Sequence, residues 1–228
     1  MITAVVLCPH PPLLFRELVG QRDVAADLRG ACLETLRRAT VAAPERVVVV
    51  GPADTTQAWD PPAAPDVRPF GSVGPRRPTG LPLSLGVGVR LLAEAGWAGP
   101  VELLGVAGSA TPAELEKVAQ DLVAGDDRVA LLLLGDGSTR RGQTAPGYID
   151  ERAFGFDDRT GRALLDGDAR ALIEMDVDLA DELMVHGRPT FQLLGLVADA
   201  QGARPRATVT YQDDPFGVMY FVAHWELT

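Results

Sequence analysis

The chain has little of several residue types that carry chemistry: two cysteines, three histidines, one lysine (Lys117) and no asparagine among 228 residues. Cys8 and Cys32 are too few and too far apart for a disulfide framework or a cysteine-based zinc site, so both are expected as buried free thiols. No apolar run approaches the roughly 18 residues of a membrane span. The N-terminus lacks the basic start and cleavage site of a signal peptide, and a cytoplasmic location is the expectation. Basic residues are outnumbered, 21 against 31 acidic, and the net charge of -10 disfavours nucleic acid or an anionic membrane as the main partner.

What is present supports a sizeable core, with 46% of residues hydrophobic. Short, continuous, branched apolar runs start at Ile2 (ITAVVL), Arg46 (RVVVVG), Pro100 (PVELLGV) and Arg128 (RVALLLLG), as buried parallel strands require. Helical patterns lie between them. Gln21 to Ala42 puts Val24, Leu28, Cys32 and Leu36 on one face, and Leu85–Ala95 and Ala113–Val123 give two more amphipathic helices. Two late alternating runs, RATVTYQ from Arg206 and VMYFVAHWEL from Val218, flank the turn-like DDPFG and read as a hairpin at one edge. The expected fold is an α/β three-layer sandwich: a mostly parallel central sheet flanked by helices, mixed at one edge. Pro52–Leu81, rich in proline and glycine, is expected as irregular loop. No repeat or composition break divides the chain, so one domain over residues 1–228 is expected, with Asp157–Asp199 as a candidate cap.

Several motifs are missing. GVGVRLL from Gly86 lacks the third glycine of a dinucleotide fingerprint, and there is no phosphate loop. GDGST from Gly135 carries Ser138 in a turn after a strand but does not fit a nucleophile elbow.

In parallel sheets, ligands bind beyond the carboxyl ends of the strands. Three stretches qualify: Cys8-Pro9-His10, Pro52-Ala53-Asp54, and Asp136 through Arg141. His10 sits between prolines that stiffen its loop, as suits a metal ligand or proton carrier; a backbone hydrogen bond is the plainer alternative. His224, in an alternating strand beside Trp225, is expected to be partly buried and hydrogen-bonded. Arg140 and Arg141 suit a grip on a substrate carboxylate, or contacts with acidic neighbours. Tyr148, Asp150 and Glu151 fit a helix start, and Asp213 and Asp214 a turn.

The blocks VLCPHPPLL, RVVVVGPAD, GDGSTRR with APGYIDERAFGFD, LLDGDARALIEMDVDLADEL and DDPFGVMYFVA, in this order, cover nearly the whole chain. In them the sequence resembles the class III extradiol ring-cleavage dioxygenase superfamily (catalytic-subunit-B-like and Memo-like proteins), and more narrowly its actinobacterial branch. The resemblance implies Fe(II) held by two histidines and a glutamate, a catecholic substrate, and a histidine as acid or base. His10 matches the first ligand. The second-histidine position is Ala53, the acid-base position is Thr139, and the glutamate aligns with Val185, with Glu182 one turn earlier and His186 one step later. One substitute set is His10, Asp54 and His186, although a one-residue slip turns a helical side chain by about 100°. The candidate site is thus Asp136, Ser138 and Thr139 as the catalytic loop that the resemblance marks, Arg140 and Arg141 on the same rim as substrate contacts, and the substitute set His10, Asp54 and His186 as metal ligands. Two readings stay open. One is an Fe(II) dioxygenase with an altered centre, acting on a small aromatic compound, using either the substitute set or ligands supplied by a partner subunit, with a homodimer as the other assembly expected. The other is a non-catalytic member, without cofactor, that binds a small molecule or a protein.

Overall fold

The computed structural model describes residues 1–19, 23–60 and 80–227. The four apolar runs form β1 (Ile2–Cys8), β2 (Arg46–Ala53), β4 (Val101–Ala107) and β5 (Val129–Leu134), with β3 (Gln57–Trp59) between β2 and β4. The late runs form β6 (Arg206–Asp213) and β7 (Tyr220–Glu226). All seven strands share one sheet in the order β3-β4-β2-β5-β1-β7-β6. β4, β2, β5 and β1 are parallel, so their carboxyl ends lie together. β7 runs antiparallel to β1, and β6 to β7.

The sheet is mixed at both edges, not one, because β3 pairs antiparallel with β4. Its three residues lie inside the stretch expected to be irregular. Gln57-Ala58-Trp59 is too short for a pattern of its own, and pairing to the exposed edge of β4 makes it a strand. Most of the remaining Pro52–Leu81 loop lies outside the described residues.

The helices are α1 (Ala26–Thr40), α2 (Leu83–Ala95), α3 (Pro112–Val123), α4 (Arg152–Asp166), α5 (Ala169–Ile173), α6 (Val177–Glu182) and α7 (Arg188–Ala200). Alternate residues of the central strands enter two apolar clusters, the consequence of a two-residue period. Val5, Leu7, Val48 and Val50 pack with Leu115, Phe156, Phe191 and Leu194 from α3, α4 and α7. Ala4, Val6, Val47 and Val49 pack with Leu28, Cys32 and Leu36 of α1 and Leu85 and Leu91 of α2. Val24 precedes α1 and is exposed rather than part of that face. Gly88 lets α2 lie close to the sheet: a Cβ there would stand 2.4 Å from Val49 Cγ1. The glycines of GVGVRLL therefore serve packing. Asp157–Asp199 is four helices whose apolar faces join the sheet's core. No described helix is long and apolar enough to cross a membrane.

Candidate functional site

The carboxyl ends of β1 and β5 are neighbours in the sheet, and this brings His10 and Asp136 together. The backbone N–H of His10 donates to Asp136 Oδ1 at 2.8 Å, and His10 Nδ1 stands 3.4 Å from the same oxygen. His10 is only 8% exposed. Burial holds its imidazole below the ordinary 6.5, the Asp136 charge pulls upward, and nearby His186 adds a downward push. The loop that carries it is anchored from beneath: Arg29, buried in α1, donates to the carbonyls of Leu13 and Leu14 at 2.9 and 3.3 Å.

The loop after β5 is held by backbone on every side. Gly135 N–H donates to Cys8, Gly137 to Met219, Thr139 to Leu183 and Arg141 to Gly217, while Ser138 accepts from Met219. Ser138 is fully buried; its hydroxyl and N–H both donate to the Asp157 carboxylate. Arg141 donates to Asp157 at 3.3 Å, is ion-paired with Asp214, and lies over the Phe154 ring at 4.4 Å. Burial pushes the Asp157 carboxyl up, against the hydrogen bonds from Ser138 and the charge of Arg141. Ser138 and Arg141 thus fasten the loop to α4 and to the β6–β7 turn, and Arg141 is not free to grip a carboxylate.

Thr139 and Arg140 differ from these two. Thr139 Oγ1 and Arg140 Nε are buried without a hydrogen-bond partner among the described residues, as is His10 Nδ1. Arg140 runs against Gly147 and Met184, since a Cβ on Gly147 would stand 2.7 Å from Arg140 Cγ and 2.9 Å from Met184 Sδ. Met184 and Tyr148 are non-glycine residues at positive φ, +55° and +58°, a conformation that L side chains rarely adopt and that tends to mark functional segments.

Met184, Val185 and His186 belong to the short connection between α6 and α7. Gly187, just beyond, donates its N–H to Asp136 O at 2.9 Å, and a Cβ on it would stand 2.6 Å from that oxygen. The connection and the loop after β4 enclose a cavity of about 350 Å³ lined by Gly108, Ser109, Asp181, Met184, His186 and Arg188. Arg188, buried, donates to the carbonyls of Gly108 and Ala110 and so fixes that loop. Sequence reasoning missed Arg188, Met184 and the role of Asp157. Their spacing carries no motif, and Asp157 reads simply as one acid on a polar helix.

The expected metal set is not assembled. Among the described residues no group of three or more histidine, cysteine, aspartate or glutamate side chains stands close enough to hold a metal ion. Asp54 is exposed in the turn after β2, His186 is exposed, Val185 is buried, and Glu182 is ion-paired with Arg152 at 2.7 Å. The groups that act on the His10 ring are the Asp136 carboxylate, whose Oδ1 already accepts the His10 backbone N–H, and the imidazole of His186. With His10 they fall short of the three side chains that a facial Fe(II) site takes, because no three such ligands stand together among the described residues. Both cysteines are buried and free, and burial pushes the Cys8 thiol up.

No protein-family model and no curated protein matches this chain. Its fold is similar to that of an uncharacterized protein, JW3007, from Escherichia coli K12, with a TM-score of 0.55 and 16% identity over 98% of this chain and 99% of that one. At this identity the likeness concerns the fold alone.

Proposed function

We propose that the chain is a small-molecule-binding member of the extradiol-dioxygenase-like fold, a three-layer sandwich whose crevice holds its ligand by hydrogen bonds and has lost Fe(II)-dependent ring cleavage. One observation carries this reading: His10 Nδ1, Thr139 Oγ1 and Arg140 Nε are buried, polar and unpartnered among the described residues. Each such group costs about 1–3 kcal/mol until it finds a partner. A small aromatic acid supplies one: its carboxylate accepts from Arg140 and Thr139, and a ring hydroxyl pairs with His10. Ala53 and Val185, which stand where the resemblance implies metal ligands, offer neither charge nor lone pair.

Calorimetry with 3,4-dihydroxybenzoate in excess EDTA tests the reading. One molecule is expected to bind per chain, at least tenfold more weakly in Arg140→Met and in Thr139→Val. Absence of binding by the intact protein overturns it. So does about one iron per chain after anaerobic Fe(II) loading, with yellow ring-cleavage product in air and loss of both in His10→Ala.

A further inference from the structure

His224 is not the satisfied strand histidine that its sequence context predicts: its Nε2 is buried with no hydrogen-bond partner among the described residues. It lines a cavity of about 540 Å³ at the end of the sheet opposite the crevice, where Thr3 and Ala4 open β1 and Arg128 precedes β5. The two-residue period of β7 produces this placement. Phe221, Ala223 and Trp225 enter the cluster beneath α4 and α7, whereas Tyr220 and Val222 enter the one beneath α1. His224 and Glu226 continue the α1 side to the point where the helix stops at Thr40. There the walls are short side chains, Ala4 on the strand and Ala39 on the helix, which leave the space that larger residues would fill.

The charges at its mouth are unequal. Arg38 and Arg128 both line the cavity. Arg128 donates to the Ala42 carbonyl and has no carboxylate within 4.0 Å among the described residues. Among the described residues Arg38 pairs with the exposed Glu34, a contact of small energetic weight. Glu226, the acid on the rim, already faces Arg206 at 3.4 Å. A cavity of this volume, apolar within and bordered by guanidinium groups, is of the size and chemistry of a small-molecule site.

We propose that this cavity is a second ligand site, separate from the crevice, that takes a monocarboxylate with an apolar body: the body lies against Ala4, Ala39 and Leu227, and the carboxylate accepts from Arg128, Arg38 and His224. The probe is decanoate, titrated into the full chain by calorimetry beside the uncharged decanol. Decanoate is expected to bind one per chain, at least tenfold more tightly than decanol. The double variant Arg38→Met with Arg128→Met should lose at least tenfold, and Ala39→Leu, which fills the space, should abolish binding while circular dichroism reports a folded protein. The proposal is overturned if decanoate does not bind, if decanol binds equally well, or if the double arginine variant binds decanoate unchanged. The arginine pair is exposed, so its replacement keeps the proposal testable even where Ala39→Leu does not fold.

Discussion

His10 and Asp136 are joined through one oxygen: Asp136 Oδ1 accepts the backbone N–H of His10 at 2.8 Å and faces its Nδ1 at 3.4 Å. The carboxylate therefore fixes the loop after β1 against the loop after β5 before it does anything for a ligand. Asp136→Ala leaves a buried N–H unsatisfied and is expected to lower stability by about 1–3 kcal/mol. Asp136→Asn keeps an acceptor and should cost less. Urea unfolding followed by tryptophan fluorescence checks both; equal losses would mean that the hydrogen bond is not what matters.

Arg141 and Asp157 form the second fastening. With Arg141 only 10% exposed and Asp157 wholly buried, Arg141→Met strands a carboxylate whose remaining donors among the described residues are on Ser138. The expected loss is about 3 kcal/mol, the low end for a broken buried pair, because Ser138 still donates two hydrogen bonds. Arg141→Met with Asp157→Asn should recover part of that loss. A double variant no more stable than Arg141→Met refutes the pairing.

Gly187 stands against backbone: a Cβ at this position would lie 2.6 Å from Asp136 O and 2.8 Å from Asp136 N. Neither atom can rotate away, so Gly187→Ala must push the α6–α7 connection off the loop after β5. A loss of about 1–3 kcal/mol is expected, together with weaker binding of 3,4-dihydroxybenzoate by calorimetry. Undiminished binding would separate the connection from the site.

Stability should depend on pH through His10 and His224. Burial holds both imidazoles below the ordinary 6.5, against the upward pull of Asp136 on one and Glu226 on the other. As pH falls below 6.5 the unfolded chain takes up protons that the folded chain refuses, so stability is full above 6.5 and declines toward the folded values. Urea midpoints measured from pH 7.5 down to 5.5 should fall, and fall less steeply in His10→Gln or His224→Gln. A midpoint flat across that range, or the same slope in both variants, contradicts the burial of the two rings.

Much of the fold was legible along the chain. β1, β2 and β5 announce themselves as branched apolar runs because both their faces are buried, and the alternation in β6 marks the edge strand, whereas β7, expected to be half-buried, is covered on both faces because it lies between β1 and β6. β3 was not legible, since three residues carry no period and only the free edge of β4 makes them a strand. In the site, the loops that would meet followed from the common direction of the parallel strands, and His10 and Asp136 do meet there. The fates of Arg140 and Arg141, adjacent and alike in sequence, did not follow. Arg141 is bound by Asp157 and Asp214, 16 and 73 residues away, while Arg140 Nε is buried without a partner among the described residues.

The sequence by itself determined the α/β class, the parallel centre of the sheet, the end of it where His10 lies, and that Ala53 and Val185 carry no metal-ligating atom and Thr139 no titratable one near neutral pH. Those properties reside in local pattern and residue chemistry. Tertiary structure alone decided which polar atoms are satisfied and which are left unpaired in buried space, from the loops at His10 to the cavity at His224. Hydrogen-bond satisfaction depends on distances between segments far apart in the chain, and no local pattern encodes them.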